Sequence, residues 1–388
     1  MTWIIRAELL SPVCLTENRG VGNVIPSLDY IPGTTLRGAL AARWLKLHGY
    51  PPNNKFRELF LSGQASFPNL YPQAARVIPR SALTCKYKPG FRGEQAHGVK
   101  DAVLPWLRYK LGIVSTLQKE VEECWQTDCL AGREPLEGFF GKERGLVTRK
   151  PAAKRLLART AILGSRQVAK SGDLYSLEVL SEGQQFEGTF LGTDQLAQEL
   201  EALINKGNHF LLGYSRSRGL GEVKLRFLEK KAEARTSLAE RLRQFNQKLH
   251  GQEGQVTHFI LTLESDTIVL DELLEYRRHP EGTDLAEAAG EGPGGDILKD
   301  CRFYMGWLQA VRVSGWQAAW QMPKGEEQAI AKGSVLVYQL PSEFSSSRID
   351  ELAAALQRLE GRGLGERPAE GFGRLRVCDE FHWEQERL

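Results

Sequence analysis

The 388-residue sequence lacks any apolar run near the roughly 18 residues a membrane helix needs. Sulfur is scarce, with six cysteines and three methionines. Six cysteines in so long a chain are too few for a disulfide scaffold, so a reducing, cytoplasmic setting is expected. Met1–Glu8 has no basic start followed by a long apolar stretch, so it reads as a strand rather than a signal peptide. No charge sign dominates, since 51 Lys and Arg face 48 Asp and Glu for a net charge of +3. With 41% hydrophobic and 26% charged residues, the composition excludes disordered and fibrous classes.

What is present is asymmetric. Residues 1–230 hold 32 Lys and Arg against 22 Asp and Glu, while the remainder holds 19 against 26. The basic half suits a polyanion and the acidic half suits another role. Length alone argues for two cores. The organisation expected is an N-terminal domain over 1–228 with a loop-rich insertion at about 50–170, a polar linker or linking helix over 229–254, and a C-terminal domain over 255–388.

Local patterns fill in that division. A strand is expected over Trp3–Leu10, broken by Pro12 and by Asn18–Gly22. Leu36, Leu40, Trp44 and Leu47 recur at helical spacing behind Thr34 and Thr35, either of which suits an N-cap. Leu174–Leu180 and Gln185–Phe190 read as a hairpin around Ser181-Glu182-Gly183, followed by a helix over Leu196–Ile204 and a strand over Glu222–Phe227. In the second half, His258–Leu263 and Ser334–Gln339 read as strands and Asp284–Gly295 as a mobile acidic loop. A helix over Arg348–Leu359 and a strand over Arg374–Val377 close the pattern. Both halves end alike, with a helix, a glycine-rich loop and a short strand. Two related α+β modules, each an antiparallel sheet with helices on one face, explain that ending.

Two glycine loops carry the chemistry. Gly213–Gly221 contains Gly213, Gly219 and Gly221 together with Arg216 and Arg218. Glycine lets backbone approach a phosphate, and arginine adds charge-assisted contacts. The plainer reading is a helix-to-strand connector. This is not a dinucleotide fingerprint, because Gly219-Leu220-Gly221 leads into a strand rather than opening a helix. Gly33–Ala39 has P-loop-like glycine spacing without the required Lys and Ser or Thr, which argues against nucleotide hydrolysis. An anion at that helix start could still meet free amides, Thr34, Thr35 and Arg37. The stretch 141–170 is densely basic and includes Lys150 and Arg155, which could clamp phosphates.

Ile31-Pro32-Gly33-Thr34-Thr35-Leu36-Arg37-Gly38-Ala39-Leu40 resembles the first-helix motif of the RAMP superfamily of CRISPR-Cas proteins. Gly213–Gly221 and Gly361–Gly373 resemble its glycine-rich loops. Trp316 to Trp320, Met322-Pro323-Lys324 and Gly333-Ser334-Val335 are similar to the C-terminal half of the Csx-ten group of type III, subtype D systems. The resemblance implies two ferredoxin-like (RRM-like) modules in an RNA-guided antiviral effector complex. It further implies a subunit that holds the 5′ handle of the crRNA, caps the filament of backbone RAMP subunits and contacts the large polymerase-like subunit, meeting target RNA only indirectly. By resemblance, Thr34, Thr35, Arg37, Arg216, Arg218, Gly219 and Gly221 face RNA. The second loop carries Arg362 and Arg367 but lies in the acidic half.

Two rivals remain. An endoribonuclease, processing precursor crRNA or cutting target RNA, would centre on His97 with Lys100, or on Asp101, since RNA cleavage needs a base near a 2′-hydroxyl and a cation on the phosphate. Against that, Asp101 suits a cap for the helix expected over Ala102–Leu111. A protein-bridging subunit would instead use its acidic half to dock a basic partner. Cys124 and Cys129, in C-x4-C spacing, could close a structural zinc site with Cys85 and His97, or be thiols left in an insertion. Trp316 and Trp320, four apart, suit a helical core face as well as base stacking.

Overall fold

The computed structural model describes residues 2–16, 23–92, 95–117, 119–124, 126, 128–143, 145–163, 168–230, 236–252, 254–317 and 321–384. Asn18–Gly22, Trp125, Thr127, Arg166 and Trp320 lie outside them.

Two antiparallel sheets, each with its own core, organise the chain. In the first, the strands run His209–Leu211, Glu222–Lys230, Thr2–Leu9, Gln185–Phe190, Tyr71–Pro72. The alternation at the N-terminus puts Ile5, Ala7 and Leu9 on one face. They pack against Leu36, Leu40 and Trp44 of the first helix (Gly33–His48) and Leu196, Leu200 and Leu203 of the helix Asp194–Asn205. In the second sheet the order is Arg302–Trp307, Val335–Gln339, His258–Leu263, Leu375–Val377. Its helix Ile349–Arg362 buries Leu352, Leu356 and Leu359 on that sheet. Leaving aside His209–Leu211, both sheets place the fourth strand beside the first and the third between the first and second.

Several expectations need correction. Val168–Leu180 and Gln185–Phe190 are not a hairpin: the former pairs with Lys154–Leu163, the latter with Thr2–Leu9. The glycine at 183 turns the chain from one sheet into another. The acidic stretch expected as a loop forms the helices Gly282–Ala289 and Gly295–Lys299, the first held by a capping box of Glu281 and Asp284. Neither Thr34 nor Thr35 caps the first helix; Pro32 precedes it, and the Gly33 amide donates to Asn69 Oδ1 at 2.8 Å. Trp316 lies on a two-residue strand paired with Met322–Pro323 and is half exposed.

The segment expected as a polar linker or linking helix contains the helix Leu238–His250, whose Leu242, Phe245 and Leu249 lie in the second core. Val103, Leu104 and Leu107 of the helix Val103–Lys110, from within the expected insertion, join that same core. No helix among the described residues is long and apolar enough to cross a membrane.

Candidate nucleic-acid interface

The two glycine loops have the same construction, residue for residue, 152 positions apart. Gly213, Ser215, Gly219 and Gly221 have positive φ, as do Gly365, Arg367, Gly371 and Gly373. A 3-10 turn follows Ser215 (Arg216–Arg218) and another follows Arg367 (Pro368–Glu370). Tyr214 N–H donates to the Cys14 carbonyl at 2.8 Å, as Glu366 N–H does to Ile268. Gly221 N–H donates to Pro12 and Gly373 N–H to Asp266, each at 2.9 Å. A Cβ on Gly213 would collide with the Cys14 carbonyl oxygen and one on Gly365 with that of Ile268. These glycines therefore serve close backbone packing. At Gly219, by contrast, a Cβ would meet open space.

The tips differ in chemistry. Arg216, Ser217, Arg218 and Gly219 are all exposed. Arg218 Nη1 donates to the Tyr175 hydroxyl at 2.9 Å, and the Arg216 side chain has no hydrogen-bond or ion-pair partner among the described residues. Leu220 beneath them packs with Leu177 and Val179 of the long hairpin formed by Lys154–Leu163 and Val168–Leu180. Two arginines and the half-exposed Tyr214 thus stand beside a basic hairpin. Such a surface offers bidentate donors for phosphate and rings for stacking. Tyr175 and Tyr214 were missed by sequence reasoning; Tyr214 lies inside the glycine motif itself, which was the available signal.

The second tip is used internally. Glu370 accepts from Arg367 at 2.7 Å, from Lys324 at 3.1 Å and from Arg37 at 3.3 Å. Burial works to raise the Glu370 pKa, but the Arg367 and Lys324 cations prevail and hold it below its ordinary value. The loop seats on the first helix start, where a Cβ on Gly33 would strike the Phe67 and Glu370 carbonyls. Arg37 is accordingly shared between Glu370 and the Phe60 carbonyl. Thr34 and Thr35 are partly buried there, and none of the hydrogen bonds found among the described residues joins that helix start to the first loop.

Lys150 pairs with Glu143, Lys154 with Glu178 at 3.2 Å and Arg155 with Glu182 at 2.8 Å. Such surface pairs contribute about 0–1 kcal/mol each, so a phosphate can exchange for the carboxylate.

Asp101 is buried. Its Oδ1 accepts from Val103 N–H at 2.9 Å, its Oδ2 accepts from Ser81 Oγ at 2.5 Å, and His382 Nδ1 lies 3.1 Å from that oxygen. His382 Nε2 in turn stands 2.7 Å from Thr262 Oγ1. This chain of buried groups ties the insertion to the second sheet, and the carboxylate presents no face to a phosphodiester. His97 is directed elsewhere, with Nδ1 3.2 Å from Cys124 Sγ. The donor atoms of Cys85, His97, Cys124 and Cys129 all lie within 4.8 Å of one another, a cluster that could hold a metal ion.

Several solved structures resemble the chain along most of its length. A chain of the type III-B Cmr-beta complex bound to cognate target RNA and AMPPnP is 14% identical, with 97% of this chain and 99% of that chain covered and a TM-score of 0.41. A RAMP protein described as binding different RNA substrates is 9% identical over 98% and 100%, with a TM-score of 0.38. A Cas6 product complex is 10% identical over 97% and 100%, with a TM-score of 0.40. No curated protein sequence matches. The family model of the RAMP superfamily matches residues 6–224, from the first strand through the first glycine loop and into the strand that follows it. That span is more than half of the sequence, and the chain belongs to the RAMP superfamily.

Proposed function

We propose that this protein is a non-enzymatic, crRNA-binding subunit of a type III RNA-guided effector complex, built from two ferredoxin-like modules. The order of strands and helices in both sheets supports that fold. The observation that carries the function is the divergence of the two glycine loops. One is consumed in holding the halves together, while its structural twin presents Arg216 and Arg218 to solvent beside Tyr175, Tyr214 and the long basic hairpin. In this reading the exposed loop grips the crRNA backbone at its 5′ handle. The subunit caps the filament, with backbone RAMP subunits and the large polymerase-like subunit as neighbours. The burial of Asp101 and the engagement of His97 with Cys124 argue against the nuclease reading.

Phosphate contacts make affinity fall with salt, by a slope of roughly one per neutralised phosphate. Filter binding of a handle-bearing crRNA across a salt series, with the wild-type protein and the Arg216→Ala/Arg218→Ala double variant, tests the proposal. The variant is expected to bind about tenfold or more weakly and to lower the slope by about 1–2. Equal affinity and an equal slope would remove this loop from the RNA interface.

A further inference from the structure

The inserted segment between Ser81 and Pro135 holds a cluster that the RNA reading does not use. Cys85 ends the strand Ala82–Cys85, the middle strand between Val99–Asp101 and Arg133–Pro135. That pairing brings His97, just before one partner, and Cys129, just before the other, to the same end of the sheet. Cys124 follows the short helix Lys119–Glu122. Its N–H donates to the Ala131 carbonyl and the Cys129 N–H to the Gln126 carbonyl, each at 3.0 Å.

Two of the ligand–ligand distances are close to the edges of a metal-centred tetrahedron, and all four donor atoms lie within 4.8 Å of one another. Cys85 Sγ and Cys129 Sγ are 3.7 Å apart, and His97 Nδ1 and Cys124 Sγ 3.2 Å. Zinc bonds of about 2.3 Å to sulfur and about 2.0–2.1 Å to nitrogen make the edges of a tetrahedral site about 3.8 Å and about 3.5 Å. A disulfide would need its sulfurs at about 2.05 Å, so the 3.7 Å pair is not one. Cys85 and Cys124 are buried, with His97 and Cys129 partly so.

The surroundings supply little else to hold this segment. Cys85, Cys124 and Ala131, with Cys129 against them, form a core cluster of their own. Across residues 112–130, Cys124 is the one buried residue among those described. Among the described residues, one buried thiol is little burial to set against the ordering entropy of such a stretch. Metal coordination can offset it, because the four ligands are not brought together in the unfolded chain, so the binding free energy becomes folding free energy.

We propose that Cys85, His97, Cys124 and Cys129 bind one Zn2+ ion in a closed Cys3His site that staples the insertion. Soft thiolates and one imidazole in tetrahedral array select zinc, and four protein ligands leave no open position for catalysis. Three thiols give up their protons on binding, and the imidazole ligates neutral through Nδ1 with its remaining proton on Nε2. The ion fixes the sheet whose edge strand Val99–Asp101 carries Asp101, and through the Asp101–His382 contact it braces the insertion against the second half.

The test uses the full chain. Elemental analysis of protein purified without added chelator is expected to give one zinc per chain. Chelator-stripped protein titrated with Co2+ should develop the visible absorption of tetrahedral, thiolate-ligated cobalt at one equivalent. Hydrogen exchange over 86–132 should accelerate when zinc is stripped, while Thr2–Leu9 and His258–Leu263 stay protected. The Cys124→Ser/Cys129→Ser variant should retain less than a tenth of the metal. Wild-type protein that carries no zinc and gives no tetrahedral cobalt spectrum would overturn the proposal, as would undiminished uptake by the double variant. If that variant does not fold, the wild-type cobalt titration decides alone.

Discussion

His258, the first residue of a central strand of the second sheet, shows how one side chain sets an acid limit on stability. Its ring is buried against Tyr304, with Nδ1 2.8 Å from Thr257 Oγ1. Burial lowers its pKa from the ordinary 6.5 to about 4, and the neighbouring His250 pushes the same way. Between those values the unfolded chain binds a proton that the folded protein refuses, so stability is full above about pH 6.5 and declines as pH falls towards 4. The loss over that window is of the order of 3 kcal/mol. Urea midpoints measured at pH 7 and pH 5 should differ more for the wild-type protein than for His258→Gln. Equal pH dependence in the two proteins would mean that His258 does not set this limit. Glu370 acts in the same direction at lower pH: its depressed pKa gives stability above the ordinary glutamate range that is lost as the carboxylate protonates.

At the scale of elements, the glycine loop is a structural device first and an interface second. Gly213 and Gly365 combine positive φ with backbone contact that leaves no room for a Cβ, whereas Gly219 has positive φ and open space. Gly219→Ala should therefore cost about 1 kcal/mol, and Gly213→Ala or Gly365→Ala more than about 3 kcal/mol, in chemical denaturation. Three similar values would show that close packing does not distinguish these positions. The loops were legible in the sequence because each role needs a glycine at a fixed spacing. Helical periodicity likewise exposed Leu196–Ile204 and Arg348–Leu359, and dense β-branched and aliphatic residues exposed His258–Leu263, all close to their observed bounds. Strand partnership was not legible. Ser181-Glu182-Gly183 announces a turn, but Leu9, whose N–H bonds to the Gln184 carbonyl, decides which sheet the chain enters. The acidic stretch misled in the opposite way: its Ala and Glu residues are helix formers, and composition hid the capping box at Glu281 and Asp284. The four metal-ligand candidates could be named from residue type, yet their convergence rests on strand pairings that no local pattern records.

Across the whole molecule, the two sheets suggest two domains, yet the contacts between them are those of one folding unit. Arg374 is partly buried, with Nη2 donating to the Ser66 hydroxyl at 2.9 Å and to its carbonyl at 3.3 Å. Desolvation lowers its pKa to about 10, while Glu264 and Tyr71 favour its charge. The Tyr71 hydroxyl donates to the Glu264 carbonyl, Phe67 N–H to that of Ala369 and Arg80 N–H to that of Gly333. The second glycine loop seats on the first helix, and the helix Val103–Lys110 completes the second core. Separating the halves would leave Arg374 without its Ser66 partners, strip Glu370 from Arg37 and open the second core at Val103, Leu104 and Leu107. Emptying a core costs several kcal/mol, a large share of the net stability of a typical domain, and the lost partners of these half-buried charges add to it. Calorimetry of the full chain should therefore show one transition whose calorimetric and van 't Hoff enthalpies agree. A chain cut to residues 255–388 should fail to fold, because it lacks both the Leu238–His250 helix and the Val103–Lys110 helix. Two resolved transitions, or a folded 255–388 fragment, would show that each half is stable alone and that the seam is a docking surface. The single transition would mean that the two halves unfold together, so that the arginine-bearing loop stands on a fold that needs both.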